Sequence, residues 1–174
     1  MDEIIKDYAT GMEIPNAGPE ANRQLFEKKL VEEKGYSKED IRINETIEVM
    51  FKGEPYTSTL DLVVFCKDRP VMAARCIAGS LGSYEREILA GARLVYDFQI
   101  PFSVSTNGTE ALVRDTLTGK PYKEESHNLD AVPSKAEAET ILADTAPQKF
   151  PEDRKEREMI IFRSYNIEKI NKEC

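Results

Sequence analysis

The stretch LDLVVF, residues 60–65, decides the fold, and the run VMAARCI, residues 71–77, follows it after a short turn. Each run is apolar except for one charged residue, Asp61 in the first and Arg75 in the second. Continuous apolar runs of this length are typical of central strands with both faces covered. The sequence therefore predicts two neighbouring buried strands, each of which carries a single charge.

Weaker patterns precede these strands. Apolar residues recur at every second position over 41–51, which predicts a half-exposed strand. A helix is predicted over 20–34, with Pro19 at its first position and Gly35 at its stop. The predicted apolar stripe of this helix consists of Ala21, Leu25, Leu30 and Val31. Residues 1–18 are interpreted as an N-terminal arm, because glycine and proline interrupt any periodic pattern there.

A second helix is predicted downstream of the two strands. The small residues of 78–82 lead into it, and Ser83 is its predicted N-cap. Its predicted apolar stripe consists of Tyr84, Ile88, Ala92 and Val95. A helix that follows a strand and returns to the same sheet places the next strand parallel to a neighbour. The pattern therefore predicts a mixed sheet.

The remaining elements are a hairpin and two helices. Strands are predicted over 100–105 and 111–116, on either side of the turn signal Asn107-Gly108. Ser134 and Glu137 form a predicted capping box for a helix over 135–144. A final helix is predicted from position 151 to 162, with Met159, Ile160 and Phe162 docked on the body. The predicted organisation is an arm at 1–18, a core at 19–122, and accessory helices with a tail at 123–174.

The composition limits the class of protein. The 174 residues include 24 Lys and Arg against 32 Asp and Glu, for a net charge of −8. No apolar run approaches the ~18 residues of a membrane span, and the acidic N-terminus lacks signal-peptide character. The cysteines, Cys66, Cys76 and Cys174, form no C-x-x-C pair, which favours a reducing compartment. We expect a cytoplasmic globular protein with no membrane partner, whose acidity disfavours a bulk electrostatic grip on DNA.

Several short segments carry a family resemblance when they are taken in order over residues 19–122. They are Arg23-Gln24, Leu30, Gly35-Tyr36, LDLVVF at 60–65, Glu85-Arg86-Glu87, Ala92-Arg93-Leu94, Ile100-Pro101-Phe102, Thr106-Asn107-Gly108 and the segment 115–119. With the element order, they resemble the PD-(D/E)xK nucleases. More closely, they resemble the N-terminal nuclease domain of type I restriction enzyme R subunits. The resemblance implies an α/β, restriction-endonuclease-like mixed sheet (helix, three strands, helix, strand, strand) flanked by helices.

The resemblance also implies where a nuclease site would lie. In such nucleases an acid of the second strand and the acid of an E-x-K motif on the third strand bind Mg²⁺, which activates the attacking water. Asp61 matches the first acid, and Glu20 matches the helix acid that often completes the site. The E-x-K positions hold Arg75 in place of the acid and Ile77 in place of the lysine. The second helix holds Glu87 where relatives often carry the Gln of Gln-x-x-x-Tyr.

Exchanging a carboxylate for a guanidinium turns attraction for a divalent ion into repulsion. At about 4 Å and an effective dielectric constant of about 20, each pair of unit charges contributes about 4 kcal/mol, and a dication about twice that. We therefore expect a remnant site without a cofactor. If activity survives, Mg²⁺ needs relocated ligands among Glu20, Asp61, Glu85 and Glu87.

An arginine inside an apolar strand needs a partner, because an unpaired buried charge is very costly. We predict that Arg75 pairs with Asp61 on the adjacent strand and so fills the place of the metal. The alternative is that Arg75 extends to solvent at a sheet edge.

Two further features are candidates for phosphate contacts. Gly79 and Ser80 belong to a small-residue loop that enters a helix, whose N–H groups could cradle a phosphate; a plain tight turn is the alternative. Arg86 and Arg93 lie near one helix face and could meet a DNA backbone, or they could be solvated surface charges. His127, the single histidine, supports neither a catalytic triad nor a metal cluster.

Three functions follow from these observations. The first is a stand-alone relative of the R-subunit N-terminal domain that binds DNA or restriction–modification subunits and has lost cleavage. The second is an active Mg²⁺-dependent DNA endonuclease with relocated ligands. The third is a non-catalytic protein-interaction module, for which the net charge of −8 is the main argument.

Overall fold

The computed structural model describes residues 3–123 and 127–165. In chain order its strands and helices are β1 (Ile4–Lys6), β2 (Glu13–Pro15), α1 (Glu20–Glu32), β3 (Ile41–Phe51), β4 (Glu54–Cys66), β5 (Arg69–Cys76), α2 (Glu85–Leu94), β6 (Phe102–Thr106), β7 (Ala111–Asp115), α3 (Lys135–Asp144) and α4 (Lys155–Ser164). The predicted order of helix, three strands, helix, strand and strand is confirmed.

The main sheet has the strand order β3-β4-β5-β6-β7. Neighbouring strands are antiparallel except β5 and β6, which are parallel and are connected through α2. This pair confirms the mixed sheet predicted from the crossover helix. Leu62 lies opposite Ala74, and Ala74 lies opposite Val104, so the three inner strands are in register across the centre.

Helices cover both faces of the sheet, which explains why β4 and β5 are almost continuously apolar. Leu62 and Val64 belong to the core formed with α1 and α3, whereas Val63 belongs to the core formed with α2 and α4. All residues from 71 to 77 are buried. Arg75 has the same parity as Ala73, which places its side chain on the α2 face.

The N-terminal arm has more structure than its composition predicted. β1 and β2 pair antiparallel in a separate two-stranded sheet, and Asp7, next to β1, is 2% exposed. Contacts with α1 hold this hairpin: the Tyr8 N–H donates to Gln24 Oε1 at 2.6 Å, and the Ala9 N–H donates to Glu27 Oε2 at 3.1 Å. Side chains from α1 thus supply hydrogen-bond partners for two N–H groups of the turn between β1 and β2.

The predicted apolar stripe of α1 is wrong in part. Ala21 is exposed, and Leu25 and Val31 are only partly buried. The buried residues are Arg23, Phe26, Glu27 and Leu30. The error arises because two of these four residues are charged, and a pattern of apolar residues does not register a charged residue that is buried with a partner.

The start of α2 also differs from the prediction. A 3₁₀ turn occupies Leu81–Tyr84, and the α-helix begins at Glu85 without a side-chain cap from Ser83. Tyr84 is 39% exposed and does not join the buried stripe. The side chain of Ser105 donates to the Leu81 carbonyl at 2.6 Å, and this bond fixes the turn against β6.

Of the two C-terminal helices, α3 agrees with the sequence prediction, whereas α4 differs from it in its start and in one of its buried residues. α3 spans the predicted residues, and the capping box of Ser134 and Glu137 is present. A 3₁₀ turn at Glu152–Arg154 precedes α4. Phe162 is fully buried against the sheet as predicted, but Ile160 is 46% exposed because it lies on the outer side of α4.

The structure also bears on the predictions about the cysteines and about membrane-spanning segments. Cys66 and Cys76 are buried free thiols, and Cys174 lies outside the described residues. Of the helices in 3–123 and 127–165, none has both the length and the apolar character needed to cross a bilayer.

Candidate functional site

The charged residues of β4 and β5 meet. Asp61 and Arg75 are cross-strand neighbours in the register that pairs Leu62 with Ala74. Arg75 Nη1 lies 2.8 Å from Asp61 Oδ1, and the Cys76 N–H donates to Asp61 Oδ2 at 2.8 Å. The predicted pairing of Arg75 with Asp61 is confirmed. β5 is an inner strand, so the alternative of a side chain extending to solvent at a sheet edge is wrong.

A second carboxylate, on α2, completes the environment of Arg75. Arg75 Nε donates to Glu87 Oε1 at 2.7 Å, and Arg75 Nη2 also contacts Glu87 Oε1. Arg75 Nη2 donates in addition to the Thr59 carbonyl at 3.1 Å. The sequence analysis placed Glu87 near the helix start but did not predict this pair, because the helix could not be aligned with the strand before the structure was known.

The guanidinium is buried and fully engaged. Arg75 is 6% exposed, and Glu87 is 2% exposed. Burial by itself lowers the pKa of Arg75, but the charges of Asp61 and Glu87 outweigh it, so that the pKa rises above its ordinary value. Arg75 is therefore a permanent cation held between two carboxylates.

This donor set does not fit a divalent ion. A metal bound to Asp61 Oδ1 would stand beside a guanidinium nitrogen that already lies 2.8 Å from that oxygen. A dication at this place would be repelled by the guanidinium. Within 3–123 and 127–165, no group of three or more His, Cys, Asp or Glu side chains is arranged to share a metal ion.

Glu20, the predicted helix acid, belongs to another cluster. Glu20 Oε1 lies 2.5 Å from Arg23 Nη2. Arg23 Nη1 also forms ion pairs with Asp7 Oδ2 at 3.0 Å and with Glu27 Oε1 at 2.8 Å. Three carboxylates thus surround the Arg23 guanidinium. The side chain of Arg23 is 6% exposed. The structure therefore engages Glu20 in holding the hairpin and α1 together rather than joining it to Asp61.

The two clusters are neighbours around the end of β5. Burial raises the pKa of the Cys76 thiol, and the charges of Asp61 and Glu27 add to this effect. Asn22 Nδ2 on α1 donates to the Ile77 carbonyl at 2.7 Å. α1 is thus anchored to the same end of β5 that carries Arg75.

A cavity of about 420 Å³ opens beside Asp61 and Arg75, where the resemblance predicts the remnant site. Asp61, Arg75 and Ile77 line it, with Ile77 at the position of the E-x-K lysine and 5% exposed. The exposed Gly79 and Ser80 form part of its rim. The cavity is also lined by Tyr84 and Tyr165, whose ring centroids lie 6.3 Å apart.

The remaining predicted site residues on α2 have other partners. Glu85 Oε1 lies 2.6 Å from Arg114 Nη2. Arg86 binds both carboxylate oxygens of Glu158 at 2.6 and 2.9 Å, and Arg93 Nη1 binds Glu158 Oε1 at 3.0 Å. The Arg93 side chain is 6% exposed, so it is neither a solvated surface charge nor available to a DNA backbone.

Glu158 is the partner that the sequence analysis missed. Burial raises its pKa, but hydrogen bonds from Arg86 and Arg93 outweigh this effect and lower the pKa. Glu158 stands 72 residues from Arg86 along the chain, so no local pattern predicts the contact. For Arg23, by contrast, the spacing to Glu20 and Glu27 is that of helical neighbours, which offered a usable signal.

Replacing Arg75 with Met should destabilise the protein by about 3 kcal/mol or more, because Asp61 and Glu87 would keep their charges without a partner. Chemical denaturation of the wild type and the variant measures this loss. The triple variant Arg75→Met, Asp61→Asn, Glu87→Gln should recover a large part of it. An Arg75→Met variant that unfolds at the same denaturant concentration as the wild type would contradict the pairing.

The stability of the protein should fall as the pH rises from about 4.5 to 7. Burial, together with the charge of Asp7, raises the pKa of Glu27 to about 7, whereas an exposed glutamate has a pKa near ~4.3. In this interval the folded state keeps a proton that the unfolded state has released, so rising pH favours unfolding, by roughly 3 kcal/mol at most. Glu27→Gln should flatten this dependence in denaturation series at several pH values; parallel profiles would refute the assignment.

Comparisons with known proteins agree with this fold. The family described as "Type I restriction enzyme R protein N terminus (HSDR_N)" matches residues 18–133. Comparison with curated proteins gave no match. Among solved structures, the fragment structure of a proposed HsdR subunit of a type I restriction enzyme from Vibrio vulnificus YJ016 aligns with a TM-score of 0.51 at 15% identity.

That alignment covers 74% of this chain and 26% of the other, so the chain spans about a quarter of the length of that protein. At this identity the likeness concerns the fold. The family match covers well over half of the chain, from the start of α1 to the turn before α3. The chain therefore belongs to the family of the N-terminal domain of type I restriction enzyme R proteins.

Proposed function

We propose that this chain is a non-cleaving member of its family, in which an arginine has replaced the catalytic metal and the domain acts by binding. The observation that carries the proposal is the contact of the Arg75 guanidinium with both Asp61 and Glu87. A positive charge is retained where the resemblance to PD-(D/E)xK nucleases places Mg²⁺. A guanidinium can satisfy the carboxylates, but it cannot generate a hydroxide or act as a Lewis acid toward a phosphate.

An active nuclease with relocated ligands is the competing hypothesis. Each of its four candidate carboxylates already has a cationic partner: Asp61 and Glu87 pair with Arg75, Glu20 with Arg23, and Glu85 with Arg114. A metal would have to displace these partners and leave buried guanidiniums unpaired. That cost makes relocated metal binding the weaker proposal.

The proposed partner is a protein subunit of a restriction–modification assembly rather than DNA alone. Phosphate binding depends on cations that are available to the backbone, and the two predicted candidates, Arg86 and Arg93, bind Glu158. The net charge of −8 adds a general repulsion toward DNA. Beside the remnant site, Tyr84 and Tyr165 are 39% and 37% exposed, and tyrosine is a frequent anchor of protein interfaces.

Calorimetric titration with Mn²⁺ tests the loss of the metal site. The wild type should give no saturable binding and should leave plasmid DNA intact in the presence of Mg²⁺ or Mn²⁺. Arg75→Glu combined with Ile77→Lys restores the E-x-K motif and should gain a Mn²⁺-dependent rise in melting temperature. Saturable Mn²⁺ binding or cleavage by the wild type that disappears in Asp61→Ala would overturn the proposal.

Binding measurements test the choice of partner. The wild type should form a stable complex with the other subunits of a type I restriction–modification enzyme from the same genome. Tyr84→Ala should weaken this complex about tenfold or more, as expected for an interface aromatic, whereas Met50→Ala, an exposed apolar residue on β3, should not. DNA binding by the isolated wild type, with a steep negative dependence on salt, would instead assign DNA as the partner.

A further inference from the structure

A second cavity, of about 610 Å³, lies at the opposite end of the main sheet from the remnant site. Arg69 and Phe102, the first residues of the parallel strands β5 and β6, line it, whereas Arg75 stands near the other end of β5. Six residues of extended strand separate positions 69 and 75, or roughly 20 Å. We call this space the aromatic cavity. Its size is in the range of small-molecule sites, and its residues take no part in the function proposed above.

Aromatic rings form much of its wall. Phe65, Tyr96, Phe98 and Phe102 line it, and the rings of Phe65 and Tyr96 are tilted against each other at 6.4 Å. Phe98 is 45% exposed, and Leu117, also in the lining, is 42% exposed. Large apolar side chains exposed around a concave space gain free energy when a flat ring covers them.

Two guanidiniums stand on one side of the aromatic cavity. Arg42 on β3 lies over the Phe65 ring at 4.1 Å from its centroid, and this stacking leaves the N–H groups at the edges of the guanidinium plane accessible. Arg69 on β5 donates to the carbonyls of Leu142 and Thr145 at 2.7 and 3.3 Å. In the part of the chain that the structure describes, neither arginine forms an ion pair with a carboxylate. They provide positive charge for an anion.

Hydrogen-bond acceptors stand elsewhere in the lining. Gln99 Nε2 donates to the Lys149 carbonyl at 3.2 Å, and because a carbonyl can only accept, this contact fixes the orientation of the amide. Gln99 Oε1 is enclosed and has no hydrogen-bond partner among the described residues. Asp97 and Asp115 add two carboxylates to the same lining. Gln99 Oε1 is shielded from solvent and therefore from a ligand, so Asp97 and Asp115 are the acceptors that favour a ligand with an N–H group.

We propose that the aromatic cavity binds a nucleoside monophosphate, with the base against the aromatic rings. The phosphate pairs with Arg42 and Arg69, and an exocyclic amine of the base donates to the carboxylate of Asp97 or Asp115. The positions of the charged groups favour this orientation of the ligand. The guanidiniums belong to β3 and β5, whereas Asp115 belongs to β7, the strand at the other edge of the sheet from β3. A simple aromatic hydrocarbon would leave all of these polar groups unused.

Titration of the ¹⁵N-labelled full chain with adenosine 5′-monophosphate tests this proposal. Saturable shifts should be confined to residues around the aromatic cavity. Adenosine, which lacks the anion, and inorganic phosphate, which lacks the base, should each bind about tenfold more weakly or worse. Inosine 5′-monophosphate replaces the exocyclic amine with an acceptor and should also bind more weakly. Phosphate that binds as well as the nucleotide would overturn the proposal, as would the absence of any saturable shift.

Two variants give the matched comparison. Arg42→Gln removes an exposed guanidinium and should weaken nucleotide binding about tenfold. Arg163→Gln is its control, because Arg163 also stacks on a ring, that of Phe51 at 3.9 Å, but does not line the cavity. Equal affinities of the wild type and Arg42→Gln would overturn the assignment.

A short 5′-phosphorylated deoxyadenosine oligonucleotide distinguishes the source of the ligand. Binding tighter than that of the mononucleotide would identify the end of a nucleic-acid strand, and equal or weaker binding would identify a free nucleotide. Both results support the same recognition of a base and a phosphate in the aromatic cavity, provided that Arg42→Gln weakens them.

Discussion

The placement of one guanidinium in the middle of the sheet constrains the rest of this structure. Arg75 is buried on an inner strand, and a buried cation requires carboxylates within hydrogen-bond distance. Asp61 on β4 and Glu87 on α2 meet this requirement, so the interaction joins two strands and a helix at one point. The function proposed above rests on the same interaction. Structure and proposed function thus depend on a single cation.

Among the residues that the structure describes, Arg75 is one of three buried arginines, each of which is the centre of a cluster of carboxylates or a carboxylate pair. Arg23 joins the N-terminal hairpin to α1 through Asp7, Glu20 and Glu27. Arg93 joins α2 to α4 through Glu158. Each cluster connects separate elements of the fold through ion pairs. Removal of one partner of such a pair strongly destabilises the protein, because it leaves an uncompensated charge in the interior. Because these arginines form ion pairs with carboxylates of the same chain, their charges are not available to an external anion.

The sequence analysis succeeded where the signal is local or periodic. The apolar runs around Asp61 and Arg75 predicted two buried inner strands, and the spacing of Ser134 and Glu137 predicted α3 with its cap. The free-energy cost of an unpaired buried charge also predicted that Arg75 would pair with Asp61. The analysis failed where a charged residue is buried, as at Glu27 in the stripe of α1, and where a turn replaces a cap, as at Tyr84. In both cases the deciding contacts come from segments far along the chain.

The sequence by itself determined the order of helices and strands along the core, the burial of the two central strands, and the need of Arg75 for a carboxylate. These follow from residue type and spacing, because periodic burial and the cost of an unpaired charge are properties of short segments. Only the tertiary structure decided that Glu87 shares Arg75, that Glu20 pairs with Arg23, and that Glu158 binds Arg86 and Arg93. Those choices depend on how helices pack against the sheet. Packing brings together side chains whose separation in sequence carries no information about their distance in space.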